Sequence, residues 1–330
     1  MKPFKTNALA SIKSAGIGSA CLALFGAGLL GISQPAQSDL LLSGHVAYNA
    51  VDRDSEDDIV FQRNGFTESR FSLVYVKELE GGRAIEVVEE IGIGEAEGAL
   101  DSRRQEVIYK GDFGGFRFGQ GNDAGDGNLN GDLSGTTVIQ PMASNAAALD
   151  YDSDNYNGFD PGRGERIRYD SPRLGDGAIV SAQLGEDDEI EIGLRYNTVI
   201  KDGKFRVGAF MTNTNSDIDE DSFGILVAYA LENGWNFAVS TSSKDNSATN
   251  GDDGDFAAFK VGYKTGMHAV SFLSGTSENP GNPVETDAVG IAYVYLWDTG
   301  IELYAAVHEF DSDDNDVDED FVVFGTRVKF

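Results

Sequence analysis

From residue 39 onward, apolar and aromatic residues fall on alternate positions in short runs, and the spacing of an amphipathic helix is hardly seen. The last run shows this best, with Val322, Phe324, Thr326, Val328 and Phe330 on one face and Gly325, Arg327 and Lys329 on the other. In 189–197, Ile190, Ile192, Leu194 and Tyr196 alternate in the same way with Glu189, Glu191, Gly193 and Arg195. Successive strand side chains point to opposite sides, so each run predicts a strand with one oily and one wet face. Sixteen segments follow the rule: 43–51, 67–77, 83–93, 103–112, 115–121, 165–171, 177–185, 189–199, 203–213, 222–231, 234–243, 255–265, 267–275, 286–297, 300–310 and 320–330. In 83–93 two registers compete, and the one with Ile85 and Val87 outward is preferred.

The connections alternate in character. One set is short and mostly glycine-bearing, as at Glu80-Gly81-Gly82, Phe113-Gly114 and Glu232-Asn233-Gly234. The other is mostly longer and acidic, at 52–66, 94–102, 122–164, 186–188, 214–221, 244–254, 276–285 and 311–319. An even number of strands with tight turns at one end and polar loops at the other predicts an all-β fold, a transmembrane antiparallel β-barrel of about sixteen strands. Hydrocarbon cannot satisfy exposed backbone groups, so an all-β chain crosses a bilayer only as a closed barrel. A soluble β-sandwich also alternates. Aromatic residues near segment ends, such as Tyr48, Tyr109, Tyr169, Trp235, Tyr263 and Trp297, favour the barrel because they suit girdles at the lipid–water interfaces.

The first 38 residues read differently. Lys2, Lys5 and Lys13 precede an apolar, small-residue stretch from Ala15 to Ile32, and Ala36-Gln37-Ser38 is a small-x-small cleavage site. Residues 1–38 are predicted to be a cleaved signal peptide and 39–330 the barrel domain. An uncleaved anchor helix fits less well, since Gln34-Pro35 follows the run and no cationic residue does. The single cysteine, Cys21, lies in the signal and lacks a lipoprotein context, because Gly18-Ser19-Ala20 precede it.

Composition narrows the class further. The 330 residues carry 55 Asp+Glu against 25 Lys+Arg, a formal charge of -30. Such a surface repels phosphate backbones, so nucleic acid is not an expected partner. Mean hydropathy is -0.26, too low for a helical bundle in a membrane but natural where only every second strand residue is apolar. Of the three histidines, His45, His268 and His308, none sits in a local pattern with a nucleophile and an orienting acid, and no enzyme is predicted.

Several stretches resemble the general porins of Gram-negative bacteria. Arg166-Ile167-Arg168-Tyr169-Asp170-Ser171-Pro172 is similar to that family's strand after its constriction loop. Ser69-Arg70-Phe71 with Lys77-Glu78-Leu79-Glu80-Gly81-Gly82 resembles its second strand and turn. Arg104-Gln105, Lys110-Gly111-Asp112-Phe113-Gly114 and Phe118-Gly119 resemble its fourth and fifth strands, and Tyr304-Ala305-Ala306 with the terminal Phe330 its last two. Two departures stand out: Gln120 replaces the usual Arg, and the family's Pro-Glu-Phe-Gly-Gly loop tip is absent. The resemblance implies a homotrimer of sixteen-stranded barrels in the outer membrane, among outer-membrane lipid and lipopolysaccharide. It also implies that Phe330 is the mark read by the assembly machinery, and that the long third loop, 122–164, folds into the lumen.

On that reading the channel passes ions and small hydrophilic solutes passively, or alternatively holds one solute class at a site in the lumen. The loop carries Asp123, Asp126, Asp132, Asp150, Asp152, Asp154 and Asp160, with no basic residue before Arg163. Alternation puts Arg70, Arg104, Lys110, Arg117, Arg166, Arg168, Arg195 and Arg206 on the lumen side. An acidic loop facing a basic wall would set a transverse field that orients polar solutes. The apolar stretches Val138–Met142 and Ala146–Leu149 would pack on a wall or at a subunit contact. Acid in the mouth loops predicts mild cation selectivity that fades with salt. No cofactor is required. Asp126, Asn128 and Asn130 follow the first half of a calcium loop, although Thr137 stands where the bidentate Glu belongs, so calcium is a possible ligand.

Overall fold

The computed structural model describes residues 38–54, 58–93, 100–143, 156–215, 219–245, 253–313 and 318–330. The predicted signal peptide up to Gln37, with Cys21, and the loop residues Asp150, Asp152, Asp154 and Ala146–Leu149 lie outside these. Seventeen strands are described. They are β1 (Ser38–Arg53), β2 (Val60–Arg63), β3 (Arg70–Leu79), β4 (Arg83–Ile93), β5 (Leu100–Gly111), β6 (Gly114–Asn122), β7 (Arg163–Asp170), β8 (Ala178–Gly185) and β9 (Ile190–Ile200). After them come β10 (Gly203–Asn215), β11 (Asp219–Ala230), β12 (Trp235–Lys244), β13 (Gly254–Thr265), β14 (His268–Asn279), β15 (Asn282–Asp298), β16 (Ile301–Ser312) and β17 (Glu319–Lys329).

All belong to one antiparallel sheet, and β17 returns to β1 through pairs such as Ala47↔Arg327 and Val51↔Val323. The terminal residue completes the seam, since Gly44 N–H donates to Phe330 O at 2.9 Å and Phe330 N–H to Gly44 O at 3.0 Å. Among the described strands no edge is left for lipid to meet.

Strands β2 and β3 lie end to end along the same partner. Tyr48 pairs with Arg63 and His45 with Arg70, so the two form a single interrupted stave and the barrel has sixteen. The alternation pattern predicts a loop over 52–66, and β2 forms within it. The interruption turns inward, burying Asn64, Thr67 and Ser69. Asn64 Nδ2 donates to Val138 O at 3.0 Å and to the Tyr304 hydroxyl at 2.9 Å, linking the break to the long loop.

The predicted sidedness is visible strand by strand. Along β12, Trp235, Phe237 and Val239 are exposed on the outside while Asn236, Ala238 and Ser240 are buried within. In β4 it is Glu86 and Glu90 that face the lumen, against Lys110 and Arg70, which leaves Ile85 and Val87 outward. One irregularity matters for the site. Glu90 pairs with Arg104 but Ile91 with Ser102, so Arg103 is an extra residue, a β-bulge.

The main apolar cluster is inside the barrel, between the loop and one wall. Leu129, Val138, Ile139, Met142, Tyr156 and Phe159 of the loop pack with Phe210, Leu226, Phe256, Leu273, Ala292 and Phe310 of β10–β16. Burying these side chains is what holds a loop of this length in the lumen.

Candidate functional site: the narrowed lumen

The loop leaves β6 at Asp123 and rejoins β7 at Arg163, running along the inner faces of β8 to β16. Ala124 N–H donates to Gln183 Oε1 at 2.8 Å, Gly125 N–H to Glu191, and Asn128 Nδ2 to Ala209 O at 2.8 Å. Further on, the Thr136 and Ser271 hydroxyls meet at 2.6 Å, and Ser271 also reaches Gln140 Oε1 at 2.6 Å. On the return, Ser242 Oγ donates to Gly158 O at 2.6 Å and Asn157 N–H to Ser277 Oγ at 3.1 Å. The open side of the lumen faces β3–β7.

That side carries most of the predicted basic wall, with acids interleaved. Glu106, fully buried, is shared by Arg104, by Arg117 Nη1 at 3.3 Å and by Arg166 Nη2 at 2.9 Å. Asp170 accepts from Arg117 Nε at 2.7 Å, Arg168 Nε at 2.8 Å and Ser181 Oγ at 2.6 Å. Arg166 and Arg168 sit beneath the loop root, where their guanidinium groups hold Asn122 O at 3.0 Å each. Arg70 pairs with Glu90 at 3.3 Å, and Lys110 with Glu86. The side chains of Arg70, Arg104 and Arg117 keep 27%, 23% and 26% exposure, so water reaches this wall. Arg195 and Arg206 have no hydrogen bond or ion pair among the described residues. They are diagonal neighbours, Arg195 pairing with Gly208 and Arg206 with Asn197.

The loop acids depart from the expected pore-facing row. Asp132 is buried and paired with Lys260 Nζ at 3.2 Å, with both side chains only 1% exposed. Lys260 also donates to Gln140 O. Asp160 turns into the loop's own backbone, accepting from Leu129 N–H at 3.3 Å and Asn130 Nδ2 at 3.4 Å. Burial pushes its carboxyl up to about 8 and that of Asp126 up to about 6. Asp123 is raised by burial too. It lies with Glu189 and Glu191 around Gln183 Nε2, at 3.0, 3.1 and 3.1 Å. One amide has two hydrogens for three carboxyls, so the acids crowd one another around it. The transverse field expected from an acidic loop face is thus not what these four acids provide. A loop that must bury apolar side chains against a wall carries its intervening acids down with it.

The calcium-type residues have different surroundings. Asn130 Oδ1 accepts from Ala143 N–H at 2.7 Å, Asn128 turns its Nδ2 to Ala209 O and leaves its buried Oδ1 without a hydrogen bond among the described residues, and Asp126 is buried at the loop root.

Sequence reading missed Arg103, Lys260 and Glu106. The bulge carries Arg103 to the lumen side, where its Nε donates to Glu90 Oε1 at 3.1 Å. Alternation alone could have found Lys260 and Glu106, since both share a face with known inward positions.

A closed barrel of sixteen staves, with a loop seated inside it and a hydrated charged wall opposite, defines a transmembrane channel. The chain belongs to the Gram-negative porin family, whose model matches residues 19–315, and this places it in the outer membrane. No curated protein matches the sequence. Among solved structures, the fold is similar to the trimer form of in-vitro folded OmpT, an outer membrane protein of Vibrio cholerae. That likeness has TM-score 0.65 and 14% identity, covering 89% of this chain and 99% of that one. An anion-selective porin from Comamonas acidovorans gives TM-score 0.65 and 16% identity, with 89% and 100% covered. A mutant of the Rh. blastica porin gives 0.62 and 14%, with 88% and 100% covered.

Proposed function

We propose that the protein passes ions and small hydrophilic solutes by passive diffusion, with mild cation selectivity at low ionic strength. The observation that carries this is the hydrated wall of β3–β7 opposite the seated loop, whose charges are largely paired with one another. Paired charges leave little net field in the narrow part. The mouth then decides, and exposed acids gather there, including Asp54, Asp58, Asp245, Asp253, Asp313 and Asp318. Their reach is about a Debye length, near 8 Å at physiological salt, so selectivity should weaken as salt rises. Reversal potentials of reconstituted channels across a KCl gradient test it. Chloride preference at low salt refutes it.

One observation favours a second reading, a lumen that binds an anionic solute. Arg195 and Arg206 are neighbours with no direct hydrogen bond or ion pair among the described residues, and Arg206 Nε is buried. Saturable block of conductance by a dicarboxylate or by phosphate, lost in Arg195→Gln, would support it over free diffusion.

The homotrimer belongs to the same proposal. Glu89, Gln105, Gln120 and Glu165 stand opposite one another across β4–β7, in one outward row. Below them lie Val87, Val107, Phe118 and Ile167, and above the row β4 is apolar again at Ile91 and Ile93 while β6 and β7 continue with Asn122 and Arg163. A polar row at that depth is costly against lipid and satisfied against another barrel wall. Disulfide cross-linking through Gln105→Cys and positions on β1 would detect the contact, and a lipid-accessible Gln105→Cys in the native protein would count against it. Cleavage after Ser38 and recognition of Phe330 by the assembly machinery complete the reading. N-terminal sequencing and a Phe330 deletion test these two.

A further inference from the structure

Five lumen-facing glycines lie beneath the loop, on β9, β10, β11, β14 and β15: Gly193, Gly208, Gly224, Gly275 and Gly290. None has a positive φ, so no turn or left-handed backbone calls for glycine. Glycine inside a strand weakens it, which makes five of them on one inner surface a cost that some contact must offset. The contact is the loop. A Cβ on Gly193 would stand 2.1 Å from Ala124 O, and one on Gly208 2.5 Å from Asn128 O. A Cβ on Gly275 would meet the Tyr156 hydroxyl at 2.4 Å and one on Gly290 the Gln140 amide nitrogen at 2.7 Å, while one on Gly224 would meet the wall residue Phe210 at 2.4 Å before loop residue Leu129 at 3.0 Å.

We propose that these glycines are positioning residues that seat the loop, and that the depth of the seat sets the bore of the channel. At Gly193 and Gly208 the obstructing atoms are loop carbonyl oxygens, which no side-chain rotation can remove. Ordinary contact needs about 3.5 Å, so a methyl group there drives the loop roughly 1 Å toward the open lumen. The loop has one direction to go, because the barrel wall is held by its ladder of hydrogen bonds. The hydrogen bonds at Gln183, Glu191 and Ala209 flank the glycines and hold the loop down only while the seat is clear.

The inference rests on the channel reading above, and the test separates the two. Gly193→Ala and Gly208→Ala are compared with Gly115→Ala, an inward strand glycine whose Cβ would have nothing nearer than 3.7 Å. Readouts are single-channel conductance, the size cut-off in liposome swelling, and heat-modifiable migration as a measure of the folded barrel. Expected is a folded barrel whose conductance falls by roughly a third to a half, with larger solutes losing more than smaller ones, and no change in Gly115→Ala. Folded variants with wild-type conductance and cut-off overturn the inference. So does failure of both variants to fold while Gly115→Ala folds, since the glycines would then serve assembly. A wild-type protein that forms no channel would instead defeat the channel reading itself.

Discussion

The buried pair of Lys260 and Asp132 offers a sharp test of what holds the loop in place. Lys260→Met keeps the volume and removes the cation. Asp132 would retain the Ser134 N–H at 2.8 Å and the Thr137 hydroxyl at 3.2 Å, but its buried charge would lose its ion-pair partner. Removing one partner of a buried pair costs about 3–5 kcal/mol. The barrel ladder does not depend on this contact, so the loss falls on the seated loop and raises its detached population on the order of a thousandfold. The mature chain is read as free of cysteine, so Ile139→Cys supplies a unique thiol at a fully buried loop position. Its modification by a small hydrophilic reagent at constant pH reports loop release. Labelling should accelerate strongly with Lys260→Met and return most of the way when Asp132→Asn is added, because the double variant buries no lone charge. An unchanged rate in the single variant, or a double variant as labile as the single, would refute the reasoning.

Two further outcomes follow from the same site. Asp160 and Asp126 bind protons more tightly in the folded loop than at their ordinary value of 3.8, so their stabilisation is complete below about pH 4 and lost as pH rises through about 6 and about 8. Open-channel noise should therefore grow from pH 5 to pH 9, and Asp160→Asn should flatten most of that rise; a pH-independent trace counts against it. Glu106→Gln leaves Arg104, Arg117 and Arg166 without their shared carboxylate, which should shift the reversal potential toward chloride and lower the thermal midpoint by several degrees. Wild-type selectivity in that variant would show that the wall charge is compensated elsewhere.

The alternation of Ile190, Ile192 and Leu194 with Glu189, Glu191 and Gly193 determined the strands, their sidedness and the closed barrel. A period of two is a local property, and hydrocarbon admits one all-β solution to it. The same rule put Arg104, Arg117, Arg166 and Arg168 on the inner wall. Three things were decided only in three dimensions. The bulge at Arg103 depends on the register of a neighbouring strand. The burial of Asp132 against Lys260 joins residues 128 positions apart, and no spacing along the chain signals such a pair. The inward glycines look like any other strand glycines until the loop lies over them, because what they provide is empty space, and space belongs to the packed whole and not to any segment of it.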